Sequence, residues 1–303
     1  MKIVSLLPSA TEIVFALGLG DQLEGVSFEC NWPPEARTKP IVSGTALEMA
    51  SLTTAAAIDT AVRSNLAAGE PIYTIDRERI ATIKPDLILA QDLCRVCAVP
   101  SGAVEEALDV IGCRVDVVSL DPASLGDVIA LIGVVGEATG RSGLAGDLMA
   151  GLRARVAAVR EAVAGLDRPR VFALEWSDPP FNAGHWVPDM IDAAGGEPVL
   201  AETGVPSRQV TWAEVAAADP EVVVFMPCGY DLEKAAAEGA SLRDIPELAA
   251  VPRIVAVDGD AYFSRPGPRV VDGVETLAAL LHPTALPILG GLARPQHVEI
   301  RPE

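Results

Sequence analysis

The chain has 303 residues, half of them hydrophobic, and carries a formal charge of -19 at neutral pH. This length is sufficient for one large domain or two lobes. A strongly acidic surface disfavours nucleic acid and anionic membranes as partners. No apolar run reaches the roughly 18 residues that are needed to span a bilayer. We therefore expect a small-molecule ligand, with no nucleic acid and no membrane insertion.

The N-terminal segment MKIVSLLPSATEIVFALG has the composition of folded structure rather than of a secretory signal. Its apolar residues are interrupted by Pro8, Ser9, Thr11 and Glu12, whereas a signal needs about 7–15 uninterrupted apolar residues. The segment is interpreted as a strand, a loop and a helix. We therefore expect a cytoplasmic protein, in which cysteines serve as ligands, nucleophiles or core residues rather than in disulfides.

Short β-branched runs alternate with alanine-rich helical stretches along the chain, which predicts an α/β fold with parallel sheets. The predicted strands are KIVSLL, EGVSF, PDLILA, RVDVVSL, RVFALEW, EVVVFM and RIVAVDG. Residues 79–90 and 214–225 share one pattern, a helix, a Pro-acid step and a buried strand. This internal repeat predicts two similar Rossmann-like lobes.

The predicted boundaries follow from the long helical pattern between the lobes. Apolar residues recur at helical spacing after Ser142, until the sequence GLDRP ends the pattern. The prediction is an N-terminal α/β lobe (1–140), a long rigid connecting helix (141–168), a C-terminal α/β lobe (169–282) and a tail (283–303). Residues 44–70 are predicted to add helical structure to the first lobe.

Most of the cysteines follow predicted strands. Ligands of open parallel sheets bind at the carboxyl ends of the strands, so residues at these positions should border one cleft between the lobes. Thiolates are soft, strong metal ligands, which favours a metal or a metal-bearing ligand. A redox or structural pair, or simple core packing, are the alternatives. The residues concerned are Cys30, Cys94, Cys97, Cys228 and the strand-terminal Glu175, whereas Cys113 begins a strand and should be buried.

Several other side chains are predicted on rim loops. His185 precedes a helix and is a candidate to contact a ligand, with a structural role as the alternative. The aromatic residues Trp32 and Phe181 suit a flat or apolar ligand. Another strand end carries Asp260, Tyr262 and Arg265. Nucleotide-binding and hydrolase motifs such as G-x-G-x-x-G, the P-loop and G-x-S-x-G are absent from the sequence, so we expect a binding protein rather than an enzyme.

Several segments along the chain together match the pattern of one known family. They are KIVSLLPSATEIVFALGLGDQLEGVSFECNWPPEA, LILAQ, SDPPFNAG, GGEPVL, DPEVVVFM and AYFSRPGPR. These segments resemble the class III periplasmic binding proteins for vitamin B12, haem and iron-siderophores, particularly the cobalamin-binding branch, and the resemblance covers roughly residues 2–282. It implies two α/β lobes, a rigid linking helix and a large ligand in a shallow cleft with little hinge motion.

The resemblance assigns roles to individual cleft residues. It implies that Phe181 packs on the corrin, that Arg265 is a cleft arginine and that Asp260 lies near a ligand-bonding acid. Trp32 stands where a rim tyrosine is usual. The family's stacking tryptophans are replaced here by Gln91 and Ser207, which widens the range of expected ligands.

The resemblance also concerns docking to an ABC transporter, which uses one exposed glutamate on each lobe. Glu78 matches the first of these positions, whereas the second holds Ala213, with Glu214 adjacent. The departure makes docking doubtful. The cysteine-bearing segments FECNWPP, QDLCRVCAV and MPCGYD are similar to a leaderless subgroup that is described as cobalamin-binding.

The first interpretation is therefore a cytosolic solute-binding-type protein that holds a corrinoid, or another metal-bearing ligand, between two lobes. Ligand contacts are predicted from the rim residues above and from thiolates of Cys30, Cys94, Cys97 and Cys228. The second interpretation is a metalloprotein or enzyme in which these four cysteines hold zinc or an iron–sulfur cluster. The third is an ABC-transporter substrate-binding protein whose leader is missing from this sequence.

Overall fold

The computed structural model describes residues 1–92, 102, 104, 115–284 and 297–301. The chain divides into two compact units. The first comprises Met1–Pro122 and Ala130–Met149, and the second comprises Ala123–Ile129 and Ala150–Glu303. None of the helices in the described residues has the length and apolar character required to cross a membrane.

The first unit is built on a six-stranded sheet with the order β4-β3-β2-β1-β5-β6. Neighbouring strands are parallel except for the antiparallel pair β3 and β4. Strand β5 is buried along its whole length, as expected of a strand covered on both faces of a parallel sheet. The strands are Ile3–Ser5 (β1), Leu23–Ser27 (β2), Ile41–Thr45 (β3), Tyr73–Ile75 (β4), Leu87–Ala90 (β5) and Asp116–Ser119 (β6).

The second unit contains a sheet with the order β12-β11-β10-β7-β8, and β9 also pairs with β7. Strands β9, β7, β10 and β11 are mutually parallel where they pair, and the edge strands β8 and β12 are antiparallel to their neighbours. The strands are Arg170–Ser177 (β7), Pro180–Asn182 (β8), Glu197–Pro198 (β9), Val222–Phe225 (β10), Arg253–Val257 (β11) and His297–Glu299 (β12).

The two sheets repeat one parallel core. In the first unit the core order is β2-β1-β5-β6, and in the second it is β9-β7-β10-β11. Strand β5 therefore corresponds to β10, and each is preceded by a short helix, Arg77–Ile83 or Trp212–Ala217. These are the segments in which the sequence repeat was recognised. Each unit also has its own cluster of buried apolar side chains, around Ile88 in the first and Phe225 in the second.

Helices cover the sheets, and their ends follow local capping rules. The Thr54 hydroxyl accepts a hydrogen bond from the Ala57 backbone and Gly69 ends the same helix with a φ of 73°. The capping box of Thr211 and Glu214 starts a later helix. The helices are Pro8–Ala16, Ala55–Ala68, Arg77–Ile83, Leu125–Ala138, Ser142–Ala162, Val187–Ala193, Trp212–Ala217, Leu232–Gly239, Gly259–Tyr262 and Val270–Leu281.

The structure confirms the α/β class and each of the seven predicted strands. The long helix begins at Ser142 and ends at Ala162. Its residues up to Met149 belong to the first unit and those from Ala150 to the second. In the division into compact units, Ala123–Ile129 also belong to the second unit.

Four of the strands that the sequence analysis missed have only two or three residues, β4, β8, β9 and β12, whereas β3 has five residues and lies inside the sheet. Strand β3 overlaps the start of the segment 44–70, in which a short 3-10 helix at Met49–Ser51 precedes the α-helix Ala55–Ala68. Strands β8 and β9 each contain a proline and only a few residues. Strand β12 lies within the predicted tail and pairs with β11. Such segments lack the long apolar run on which a strand prediction depends.

Candidate functional site

Each parallel core contains one topological switch point, where successive strands leave in opposite directions along the sheet. In the first unit this point lies between β1 and β5, and in the second between β7 and β10. Ligands of open α/β sheets bind beside the carboxyl ends of the strands at such points. The candidate site is therefore described from the residues that follow these strand ends in each unit.

At the first switch point, Gln91 follows β5 and is 5% exposed. Its Nε2 donates to the Leu120 carbonyl at 2.9 Å, so the amide joins the ends of β5 and β6. The next residue, Asp92, and Asp121 both lie within hydrogen-bond distance of the Ser119 hydroxyl, at 2.9 and 2.6 Å. The predicted ligand residue Gln91 thus has a hydrogen bond within its own unit.

Cys30 lies in a buried polar network beyond the end of β2. Its side chain is 4% exposed, and Sγ is 3.1 Å from the Thr11 hydroxyl and 3.2 Å from the Ser27 hydroxyl. The Thr11 hydroxyl is also 2.9 Å from that of Ser5 at the end of β1. The thiol is therefore buried and held by neighbouring hydroxyl groups.

Exposed aromatic side chains follow β2. Trp32 is 45% exposed and Phe28 is 39% exposed. The Phe28 ring packs at a tilt against Tyr73 of β4, with ring centroids 6.3 Å apart. Large exposed aromatic rings at a rim are suited to contact a ligand with an apolar face. The structure thus places Trp32 on the surface, as the sequence analysis predicted.

The second switch point is organised around Glu175, near the end of β7. The Ser207 hydroxyl donates to Glu175 Oε2 at 2.6 Å, and this same hydroxyl accepts from the Gly184 backbone at 3.0 Å. The Cys228 backbone N–H, beyond β10, points to the Glu175 carbonyl at 3.4 Å. Burial raises the pKa of Glu175, although the bonds from Ser207 and Gly184 oppose this effect.

The loop 199–210 lies against residues 180–186 and fixes their position. The His185 N–H donates to the Val205 carbonyl at 2.8 Å, and the Gly204 N–H donates to the His185 carbonyl at 3.0 Å. A Cβ atom on Gly184 would lie 2.4 Å from the Val205 carbonyl oxygen and 2.5 Å from the Ser207 nitrogen. Only glycine allows this close approach of the two backbones. The loop thereby holds Ser207 beside Glu175.

His185 itself has a left-handed backbone with a φ of 54°. Its ring stacks on Trp186 at a centroid distance of 5.7 Å. Burial lowers the pKa of His185 below its usual value of 6.5, so the imidazole is neutral at pH 7. The Trp186 indole N–H donates to the Phe263 carbonyl at 2.9 Å. His185 therefore lies on a loop that is firmly attached to the second unit.

The predicted polar residues beyond β11 interact with each other. The Arg265 guanidinium forms two hydrogen bonds to Asp260, Nε to Oδ1 at 3.1 Å and Nη2 to Oδ2 at 2.6 Å. The Arg265 side chain is only 7% exposed. Tyr262 is half-buried, and burial raises the pKa of its phenol. The arginine that was predicted to grip a ligand is thus already bound to a carboxylate of its own unit.

Aromatic side chains also gather at the ends of β7 and β8. Phe181 is the cross-strand partner of Trp176, and the Trp176 ring meets Tyr230 edge-on at 5.6 Å. The Lys234 ammonium lies 3.6 Å from the centre of the Tyr230 ring. Burial, followed by the charge of Glu238, raises the pKa of Tyr230 to about 12. Tyr230 was not predicted, because it lies in the MPCGYD segment where only the cysteine was considered.

The described residues contain no group of three or more His, Cys, Asp or Glu side chains that could hold a metal ion. Cys94, Cys97 and Cys113 lie outside the described part of the chain. Cys30 belongs to the first unit and Cys228, which is partly exposed, to the second. The zinc or iron–sulfur interpretation thus has no support from the residues that the structure describes.

The predicted docking residues differ in their surroundings. Glu78 is exposed on the helix Arg77–Ile83. Glu214 instead caps its own helix, with Oε2 2.7 Å from the Thr211 nitrogen, and forms an ion pair with Arg208. These backbone and side-chain bonds lower the pKa of Glu214. Glu214 is therefore occupied locally, whereas Ala213 beside it is exposed.

Two α/β units with equivalent switch points, and exposed or half-buried aromatic residues beside them, define a class of two-lobed solute-binding proteins. The chain belongs to the periplasmic binding protein family, because the family model with the description "Periplasmic binding protein" matches residues 3–252.

Similar proteins carry names that agree with this family. The vitamin B12-binding protein of Vibrio cholerae serotype O1 is 26% identical over 287 residues, which cover 92% of this chain and 88% of the relative. A Bacillus subtilis protein described as an uncharacterized ABC transporter substrate-binding lipoprotein is 26% identical over 292 residues. The match covers 93% of this chain and 80% of that protein.

Among solved structures, the periplasmic heme-binding protein from Roseiflexus sp. RS-1 in its apo form is similar, with a TM-score of 0.69 and 26% identity. The match covers 94% of this chain and 98% of that one. The resemblance inferred from the sequence is thus confirmed at the level of family and fold.

Proposed function

We propose that this protein binds a metal-bearing macrocycle, a corrinoid in the first place, as the substrate-binding protein of an ABC-type transporter. The observation that carries the proposal is the exposed aromatic surface beside the carboxyl ends of the strands, in a chain of the periplasmic binding protein family. Relatives named vitamin B12-binding or heme-binding support the ligand class. In this proposal no reaction is catalysed.

The apolar contacts of the proposed site come from each unit separately. In the first unit they are Trp32 and Phe28, which are 45% and 39% exposed. In the second unit they are Phe181 and Trp176, which are cross-strand neighbours on β8 and β7. Burial of an aromatic side chain against a ligand contributes about 1.5–3 kcal/mol, so each ring should contribute measurably to affinity.

The experiment is a calorimetric titration with cyanocobalamin, dicyanocobinamide and haemin, using the wild type and the variants Trp32→Ala and Phe181→Ala. Each variant should weaken binding by about 10-fold or more, since it removes most of one aromatic contact. Leu166→Ala, which shortens an exposed apolar side chain far along the sequence from the rim loops, is the matched control. Absence of heat with all three ligands would reject the proposed function.

Thiolate contacts to the ligand metal are a finer part of the proposal. Cys228 is the more accessible of the two described cysteines and lies beside the second switch point. A cobalt–sulfur bond would shift the visible spectrum of the bound corrinoid, and Cys228→Ser would remove that shift. An unchanged spectrum in the variant would show that Cys228 does not ligate the metal; Cys94→Ser/Cys97→Ser tests the remaining pair.

Docking to a transporter is proposed through the exposed Glu78 on the first unit. Glu78→Ala should leave ligand affinity unchanged and reduce ligand-dependent ATP hydrolysis by the cognate transporter. The cytoplasmic location expected from the sequence is the alternative to this transport role. Fractionation of cells that express the full-length natural gene separates the two, because a protein found only in the cytoplasm would reject docking to an importer.

A further inference from the structure

At the second switch point, the half-buried carboxylate of Glu175 is held in place by a chain of hydrogen bonds. Its Oε2 accepts a hydrogen bond of 2.6 Å from the Ser207 hydroxyl. That hydroxyl in turn accepts from the Gly184 N–H at 3.0 Å, so its proton is directed at Glu175. The relay fixes the orientation of the carboxyl group and presents it as a hydrogen-bond acceptor.

No ion pair involves Glu175 within the part of the chain that the structure describes. A partly desolvated carboxylate without a cation is destabilised unless donors compensate it. Ser207 supplies one donor, and a carboxylate can accept at several further lone pairs. A ligand that brings an N–H group to this position would therefore be stabilised by the carboxylate.

Two described groups of this unit that could attract an anionic ligand, Arg265 and His185, are already engaged or uncharged. The Arg265 guanidinium makes two hydrogen bonds to Asp260 and is 7% exposed. His185, next to Gly184, is kept neutral because burial lowers its pKa. Burial raises the pKa of Asp258, and the positive charge of Arg269 opposes this effect only in part. Neither Arg265 nor His185 therefore offers an uncompensated positive charge to an ionised carboxylate on the ligand.

We propose that Glu175 determines the charge of the ligand: its carboxylate accepts a hydrogen bond from a neutral N–H donor, such as a carboxamide, and disfavours ligands with ionised carboxylates at their periphery. The inference rests on the proposed function and narrows it. Among metal-bearing macrocycles, it selects the amide-bearing corrinoids over the propionate-bearing porphyrins. Ser207 is the positioning residue that orients the carboxylate.

The test compares two ligands that differ in one group, dicyanocobinamide and its monocarboxylate derivatives in which one carboxamide is hydrolysed. A hydrogen bond to a charged group stabilises the bound amide, so the wild type should bind dicyanocobinamide about 10-fold or more tightly than the monocarboxylate. Glu175→Gln, whose side chain also offers an N–H₂ group to a carboxylate, should reduce the preference to within about 3-fold. Ser207→Ala should reduce it partially.

Glu197→Gln is the control, because it removes one negative charge from an exposed position on β9, near the start of β7. It should keep the wild-type preference. A wild type that binds both corrinoids equally, or a Glu175→Gln variant that keeps the full preference, overturns the inference and leaves the proposed function standing. If Glu175→Gln does not fold, an unchanged preference in Ser207→Ala overturns it. A wild type that binds neither ligand overturns both.

Discussion

Arg155 on the long helix forms a two-point ion pair with Glu275 on the helix Val270–Leu281. Nε lies 2.7 Å from Oε1 and Nη2 lies 2.6 Å from Oε2, and the Glu275 side chain is only 3% exposed. Asp272, one turn earlier, also contacts Nη2. The pair joins the C-terminal part of the long helix to the helix Val270–Leu281, and all three residues belong to the second unit.

The first prediction concerns this pair. Arg155→Met leaves the buried Glu275 carboxylate without its cation, and should lower the free energy of unfolding by about 2–3 kcal/mol in urea titrations. The double variant Arg155→Met/Glu275→Met should recover most of the loss, because no charge is then left unpaired. Arg153→Met, an exposed position on the same helix, is the control. Equal stability of Arg155→Met and wild type would contradict the expectation.

The second prediction concerns Asp260, whose carboxylate holds Arg265. Asp260→Asn removes one negative charge next to the guanidinium, so the arginine should attract an anionic group more strongly than in the wild type. Affinity for haemin should rise by about 10-fold, the size of one charge-assisted hydrogen bond. Fluorescence quenching at two salt concentrations measures the change, which should shrink as salt increases. Asp244→Asn, exposed in the same unit, should leave haemin affinity as it is.

The third prediction is a pH dependence of stability from Glu175. Burial raises the pKa of this carboxyl in the folded state above its ordinary value of 4.5. The folded protein therefore holds the proton more tightly than the unfolded chain. This contribution to stability is fully present below the ordinary pKa and is lost as the pH rises through the folded-state pKa.

The amide of Glu175→Gln does not titrate, so the variant does not lose stability in this way as the pH rises. The variant should be more stable than wild type at pH 7–8, and the advantage should shrink as the pH is lowered towards the ordinary pKa of 4.5. Urea unfolding at several pH values measures the difference. Parallel pH profiles for the two proteins would show that Glu175 does not titrate differently on folding.

The fourth prediction concerns the loop 199–210. Gly184→Ala places a Cβ atom 2.4 Å from the Val205 carbonyl oxygen, so the loop must move away. Overpacking of this kind costs about 1–3 kcal/mol, and the displaced Ser207 should no longer orient Glu175. Thermal unfolding and corrinoid titration should therefore both change. Gly146→Ala, in the long helix with no atom within 4 Å of the added Cβ, should be neutral or stabilising.

The sequence predicted the parallel core of each unit except for β9, because buried parallel strands such as β5 and β10 are continuous apolar runs. The repeat between residues 79–90 and 214–225 also identified these two strands as equivalent positions. The edge strands β8 and β12 were not predicted, because their own three-residue sequences carry no strand pattern. They are strands because they pair with β7 and β11. Strand ends were thus predictable, and short edges were not.

At the candidate site, the sequence placed Glu175 and Cys228 at strand ends, and the structure brings their backbones together. The partners of these residues could not be predicted, because Ser207 comes from a loop more than 30 residues away from Glu175. The pairing of Arg265 with Asp260 has a weak sequence signal, since the residues are five apart across a helix end. Whether they face a ligand or each other depends on side-chain geometry, which a spacing does not fix.

The equivalence of β1/β5 with β7/β10 has a practical meaning for protein engineering. Because each half has its own parallel core and its own apolar cluster, the recognition chemistry of one half can be rewritten while the other serves as an unchanged reference. Chimeras that exchange one half with a relative would reveal which half dictates the choice of cargo.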